Sequence, residues 1–299
     1  MLSILRRVVY FGRPCDLSAA PLAALAEAGY QVAAVVTPVR SPGQQRPLRI
    51  RPAPRLLPGS PSDALSAVAS AHHIPLWEAA NLAAPEVRQA LAEVAPDILA
   101  VSCFPWRIPR SLLALAPHGG INLHPSLLPR HRGPEPLFWV FRAGERHTGV
   151  TIHRLAPRLD AGGIVAQERL AVPAGIPGDE LERQAAALGA RILPVALERV
   201  LSGCAAPPQD ETLASYETWP GEHDLALPRD WTSEHAWRFT RGVMPLGYQP
   251  TIEVDGATLT VIEALRVTCE NQQHDDVLQG SLLDASFAGG RLLLRVASK

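Results

Sequence analysis

The sequence predicts an α/β protein: a Rossmann-like, mostly parallel sheet, followed by a second, small β-barrel of OB-like type. Three observations predict it. The chain opens strand–helix–strand. An apolar run at Arg7–Phe11 stops at Gly12, a helical stretch from Ala19 to Ala28 closes on Gly29, and a second apolar run covers Gln31–Val36. Two strands joined through a helix pack in parallel, with a right-handed crossover. At 299 residues the chain is long enough for two domains, each with its own core. Past a polar stretch carrying Pro207, Pro208 and Pro220, apolar residues recur with period two, around Ile252–Val254, Leu259–Leu265, Val277–Leu283 and Leu292–Val296. Residues 1–204 are therefore expected to form a first domain, 205–228 a linker and 229–299 the barrel.

The elements follow in order. Gly12 is followed by Arg13-Pro14, not by the glycine fingerprint of a dinucleotide site, which excludes NAD and FAD. Thr37 to Pro61 reads as a long proline-rich loop with Arg40, Arg46, Arg49, Arg51 and Arg55 and no acidic residue. Such a loop is either a solvated connection or an arm that contacts phosphates. Ser62–His72 and Pro85–Val94 read as helices, with Pro85 suited to a first turn. Asp97–Ser102 is a buried strand that delivers Cys103-Phe104-Pro105-Trp106-Arg107-Ile108 to a sheet edge. A short helix at Pro134–Phe141 and strands at Gly149–Leu155 and Gly163–Leu170 come next. Gly178–Leu201 has helical spacing, and Pro194 is expected to kink or divide it. A helix running through Arg241 precedes the barrel strands.

Composition narrows the function. No apolar run reaches the roughly 18 residues of a membrane helix, and Met1–Arg7 lacks the plan of a signal peptide. Cys15, Cys103, Cys204 and Cys269 lie far apart without metal-ligand spacing. They read as reduced thiols of a cytoplasmic protein, with no metal and no membrane partner. Charge is uneven. Residues 1–204 hold 21 Arg against 15 acidic residues, a surplus of 6, whereas 205–299 hold 7 basic against 14 acidic residues, a deficit of 7. An acidic barrel is a poor electrostatic partner for RNA.

The chemistry concentrates in Ile121-Asn122-Leu123-His124-Pro125-Ser126-Leu127-Leu128-Pro129, with Leu159-Asp160-Ala161-Gly162 as partner. Asn122 and His124 are two apart, so on a strand they share a face. Asp160 is placed to orient the imidazole and raise its pKa. Taken singly, each has a bland reading: a structural histidine, a turn-forming Asn, a turn Asp ahead of Gly162. Together, an amide donor, an imidazole and a carboxylate suit acyl transfer, where an oxyanion needs donors and protons must move.

Asn-x-His-Pro-Ser-Leu-Leu-Pro, then Arg132-Gly133, Thr148-Gly149-Val150-Thr151 and Leu159-Asp160-Ala-Gly, resembles the 10-formyltetrahydrofolate-dependent formyltransferase superfamily. Within it the wording is most similar to the methionyl-tRNA formyltransferases. The resemblance implies a formyltransferase fold and an enzyme that moves a formyl group from 10-formyltetrahydrofolate to a primary amine. Asn122, His124 and Asp160 would be catalytic. The donor would be held by Phe104, Trp106, Arg107, Ile108, Ala156, Leu159 and Asp160. The acceptor would meet Ser126, Leu127, Leu128 and Pro129. The acceptor it implies is the α-amine of methionyl-tRNA, with Arg40 and Arg46 on an RNA-contacting arm. A nucleotide-linked amino sugar or another small amine is the alternative. Two departures stand out. Gly163 occupies a position where this superfamily usually has Asp, and the Phe104–Ile108 wording differs from that of tRNA formyltransferases.

Overall fold

The computed structural model describes residues 6–39, 47–52, 63–269 and 275–298. Two compact units take up alternating pieces of chain. The first comprises Met1–Gly133, Gly149–Arg169 and Arg183–Tyr216; the second comprises Pro134–Thr148, Leu170–Glu182 and Glu217–Lys299.

The larger sheet has eight strands: β1 Arg7–Gly12, β2 Gln31–Pro38, β3 Leu48–Arg51, β4 Leu76–Ala79, β5 Ile98–Ser102, β6 Gly120–His124, β7 His147–Arg154 and β8 Ile164–Ala171. Their order is β3-β4-β2-β1-β5-β6-β7-β8. The pairs from β4 through β6 are parallel, while β3 runs antiparallel to β4 and β7 antiparallel to β6. Val8, Val9, Tyr10 and Phe11 are all 0% exposed, which is why a continuous apolar run makes the central strand. The topology matches the mostly parallel sheet expected. The carboxyl ends of β1, β5 and β6 fall at neighbouring positions, where open α/β sheets build their sites.

Local chemistry explains the helices. Asp63 accepts from Ser66 N (2.9 Å) and so starts Ala64–Ala71. Pro85 sits in the first turn of Pro85–Val94. Gly178–Leu201 is one helix with Pro194 inside it, so the expected division does not occur. Its Gly189 lies against Leu123: an added Cβ would come within 2.4 Å of the leucine Cδ1. This close approach braces the back of β6.

Two other expectations are corrected. The loop expected over Thr37–Pro61 contains β3, whose Arg49 and Arg51 lie 3.9 and 3.0 Å from Glu78 on β4. Arg40, Arg46 and Arg55 lie outside the described residues. The strand expected at Val277–Leu283 is instead two strands, because Gly280 (φ 60°) opens a two-residue turn between them.

The second unit carries the sheet β9 Thr251–Val254, β10 Ala257–Thr268, β11 Val277–Gln279, β12 Leu282–Phe287 and β13 Gly290–Ser298. Its order is β11-β12-β13-β10-β9, antiparallel where paired, and it curls into a half-barrel. Asp255-Gly256, both at positive φ, make the two-residue hairpin between β9 and β10. Register breaks in β10 after Val261 and Ala264 supply local bends. The helix Ser233–Val243, capped by Thr232, buries Ala236, Phe239 and Val243 against this sheet.

Candidate active site

β6 positions the first two residues. Its alternation places Asn122 and His124 on one face, as their spacing predicts, with His124 4% exposed. Asp160 arrives on the connection between β7 and β8, in left-handed backbone (φ 50°) that Asp tolerates. Its turn depends on Gly162, where a Cβ would fall 1.8 Å from the Arg154 carbonyl oxygen. The three residues meet. Asn122 Nδ2 is 3.4 Å from Asp160 Oδ1, and His124 Nδ1 is 3.7 Å from Asp160 Oδ2.

Sequence reasoning missed a fourth member, His153. It stands opposite Asn122 in the antiparallel β6–β7 register. Its Nε2 lies 3.2 Å from Asn122 Nδ2 and 3.4 Å from Asp160 Oδ1, while Nδ1 donates to the Arg154 carbonyl at 2.9 Å. His124 Nε2 donates to the His131 carbonyl at 2.7 Å. The Gly133 N–H donates to Asp160 Oδ2 at 2.9 Å. The segment His131-Arg132-Gly133 is thus bound to Asp160 at one end and to His124 at the other.

Electrostatics differ from expectation in one respect. Burial alone would raise the pKa of Asp160, but His124, His153 and the Gly133 N–H more than offset it, so the carboxylate is held ionised, well below its usual range. His124 was expected to be raised. Burial lowers it instead, and the upward pull of Asp160 and of the His131 carbonyl does not make up the difference. The resting imidazole is therefore neutral near pH 7.

Acid should weaken the fold through both groups. A histidine lowered from about 6.5 takes its proton later in the native state than in the unfolded chain, so stability falls as pH drops below about 6.5. A depressed carboxylate adds stability above about 3.9 that is lost as pH falls through its folded value. Urea titrations followed by tryptophan fluorescence should show the midpoint declining from pH 7 to pH 5, and declining less in His124→Gln. Parallel declines in parent and variant would remove His124 as a contributor.

The remaining predicted residues divide between packing and exposure. Ser126 is buried, its hydroxyl donating to the Arg130 carbonyl (2.8 Å) and its carbonyl accepting from Thr151 Oγ1 (2.7 Å). Leu128 is buried too, with its N–H on Thr151 Oγ1 and its carbonyl on Gln167 Nε2. Leu127 and Pro129 are half-buried. Leu127 fills the space a side chain at Gly149 would need, its Cδ2 lying 2.5 Å from where that Cβ would be. Phe104 packs edge-on to Phe11 and Trp106, with centroids 5.5 and 5.6 Å apart. Trp106 and Leu159 are 38% and 44% exposed, so both offer apolar surface to a ligand. Ile108 packs on the core, and Ala156 is half-buried. Arg107 donates to the Pro157 carbonyl and so ties the Phe104–Ile108 loop to the Ala156–Leu159 loop. Gly163 has no room for the Asp expected from the resemblance: an added Cβ would lie 2.3 Å from the Ala206 carbonyl oxygen.

Beneath these loops runs a polar brace. Arg132 is 0% exposed. It donates to Gln209 Oε1 (3.0 and 2.7 Å), to Glu211 (3.1 and 2.8 Å) and to the Tyr216 hydroxyl (2.6 Å). Gln209 Nε2 donates onward to the Asp160 and Gly162 carbonyls, both at 2.7 Å. No cluster of three or more His, Cys, Asp or Glu fit to hold a metal occurs among the described residues.

Known proteins resemble this chain in sequence and fold. The protein-family profile described as "Formyl transferase" matches residues 6–197. A methionyl-tRNA formyltransferase of Anaeromyxobacter dehalogenans is 32% identical over 296 residues, covering 96% of this chain and 90% of that protein. One from Chloroflexus aggregans is 35% identical over 228 residues, covering 76% and 69%. Among solved structures, an N-formyltransferase from Helicobacter canadensis, in complex with folinic acid and dTDP-3-aminofucose, superposes with a TM-score of 0.70. It shares 14% identity and covers 98% of this chain and 100% of that one, a likeness of fold. A profile match over most of the first two hundred residues, and near full-length likeness at 32% identity, place this chain in the formyl transferase family.

Proposed function

We propose that this formyltransferase moves the formyl group of 10-formyltetrahydrofolate to the α-amine of methionyl-tRNA. The observation that carries the chemistry is the meeting of Asn122, His124 and Asp160 at the carboxyl edge of a mostly parallel sheet. The near full-length likeness to methionyl-tRNA formyltransferases supports the acceptor. The exposed faces of Trp106 and Leu159, and the Arg107 link between their loops, suit the flat pterin of the donor.

In this reading Asn122 Nδ2 donates to the formyl oxygen as the amine attacks and negative charge develops there, and His124, neutral at rest, stabilises that charge in its protonated form. Asp160, held ionised, positions the amine or a water so that the proton the attacking nitrogen loses reaches the folate nitrogen as its bond to carbon breaks. His153 and the Gly133 N–H fix the carboxylate. Ser126 through Pro129 shape the acceptor side of the loop. The cytoplasm is where charged tRNA and reduced folates meet, and no helix among the described residues is long and apolar enough to cross a membrane.

The deficit of 7 charges over residues 205–299 favours a smaller acceptor, so a nucleotide-linked amino sugar is the second reading. The arginine-rich stretch decides between them. Five arginines in Thr37–Pro61 would release counterions from RNA phosphates, although Arg49 and Arg51 already face Glu78. Changing Arg40, Arg46 and Arg49 together to Ala is expected to raise the KM for methionyl-tRNA and to flatten its log–log salt dependence by up to about 3, with donor KM unchanged. The assay offers both acceptors at several salt concentrations. Activity on the amino sugar alone, or tRNA kinetics untouched by the triple change, would overturn the tRNA reading.

A further inference from the structure

The edge of the sheet that carries Phe104 and Trp106 also holds two thiols that formyl transfer does not use. Cys15 follows β1 and Cys103 follows β5, neighbouring parallel strands whose last paired residues are Gly12 and Ser102. Ser18 joins the two turns. Its hydroxyl donates to the Ser102 carbonyl at 2.8 Å, accepts from the Arg13 N–H at 3.3 Å, and lies 3.7 Å from Cys15 Sγ. Cys103 sits in left-handed backbone (φ 53°), a sparse conformation for a residue with a Cβ. Its thiol stands near enough to Cys15 to act on that group's titration. Both are reduced and half-buried, within reach of a small solute.

The surroundings make the two thiols unequal. Cys103 pulls the Cys15 thiol down, burial opposes it, and Ser18 and Arg13 add to the lowering, which brings Cys15 to about 6. Cys15 is then mostly thiolate at neutral pH, and the thiol that stabilises it stands beside it as a resolving partner.

We propose that Cys15 and Cys103 form an oxidation site, closing to an intramolecular disulfide when a peroxide supplies the oxidant. The Cys15 thiolate attacks one peroxide oxygen and the O–O bond breaks, giving Cys15 sulfenic acid and hydroxide from hydrogen peroxide. The Cys103 sulfur then attacks the sulfenic sulfur, the S–O bond breaks, and its proton leaves with the oxygen as water. Two electrons pass from the thiols to the peroxide, and atoms and charge balance. The new bond ties the turn after β1 to the residue before Phe104, whose ring packs between Phe11 and Trp106. An effect on formyl transfer rests on the proposed donor role of that loop; bond formation does not.

The test uses the full chain with Cys204→Ser and Cys269→Ser, which removes the two exposed cysteines. The protein is treated with dilute hydrogen peroxide at pH 7, capped with a maleimide and digested without reductant. Expected are an intact mass lighter by two hydrogens, a Cys15–Cys103 cross-linked peptide, and return of both thiols with dithiothreitol. In Cys103→Ser, a sulfenic acid on Cys15 should be trapped by dimedone. In Cys15→Ser, oxidation of Cys103 should slow roughly 10-fold or more, because the low-pKa nucleophile is gone. Formyl transfer measured in parallel should fall on oxidation and recover on reduction; unchanged transfer with the cross-link present would count against the donor role of the loop and leave the oxidation site standing. Both thiols capping as before treatment, Cys15 advancing to sulfinic acid without a link, or a link only between two chains would each overturn the proposal.

Discussion

Asp160→Asn is expected to lower formyl transfer at least about 100-fold, the usual scale for loss of one acid–base group. The change keeps shape and volume. An amide oxygen can still accept from the Gly133 N–H, so the turn should persist. What is lost is the charge: a carboxylate held ionised in a buried site orients and stabilises the nitrogen as it turns positive, and an amide does so far less. His124→Ala should cost a similar factor by removing the imidazole whose protonated form stabilises the developing oxyanion. The two should not add. If the residues act on one transition state, the double variant should be little slower than the worse single one. Donor affinity, followed by quenching of tryptophan fluorescence, should survive in His124→Ala, since Trp106 and Leu159 lie outside the His–Asp pair. Single-turnover rates near the parent in either variant would remove the proposed mechanism.

Some of this site was legible in the sequence and some was not, for physical reasons. Asn122 and His124 could be placed on one face because a strand has period two, and Asp160 could be added from the Leu-Asp-Ala-Gly wording. His153 could not be, because its position opposite Asn122 depends on the β6–β7 register, which no local pattern states. Arg132 was quotable as part of a motif, but its burial was not, since Arg is ordinarily exposed. Gln209 lies in a polar, proline-rich stretch that composition marks only as a connection, and its contacts are with residues more than forty positions away. The pKa of His124 was misjudged because a sequence shows the neighbouring carboxylate and hides the degree of burial. The short strand β3 was masked by the prolines and arginines around it, and it is held by antiparallel pairing with β4. The two compact units alternate along the chain, and a composition profile, which reads position and not contact, carries no signal for that.

Arg132→Met is the change with the largest expected effect on stability. The guanidinium is buried and fills its donor capacity on Gln209, Glu211 and Tyr216, with its charge also 5.0 Å above the Tyr216 ring. Methionine of similar length keeps the apolar stem and deletes every one of those bonds. Glu211 is half-exposed and can turn to water, so little cost arises there. Gln209 Oε1 is different: it is buried, it loses both donors, and a buried acceptor left unpaired costs about 1–3 kcal/mol. With the other lost bonds, the expected destabilisation is about 3 kcal/mol. Arg132→Lys should recover only part, because a single ammonium cannot bond Gln209, Glu211 and Tyr216 in the planar fork that arginine supplies. The brace should also act on turnover. Gln209 holds the Asp160 and Gly162 carbonyls, so a Gln209 freed of Arg132 fixes the carboxylate less tightly. At a temperature where circular dichroism shows Arg132→Met folded, kcat should fall about 10-fold while donor affinity holds, and Gln209→Leu should reproduce that split. A merely structural brace would lower the unfolding midpoint and leave kcat of the folded fraction unchanged, and that outcome would separate Arg132 from the positioning of Asp160.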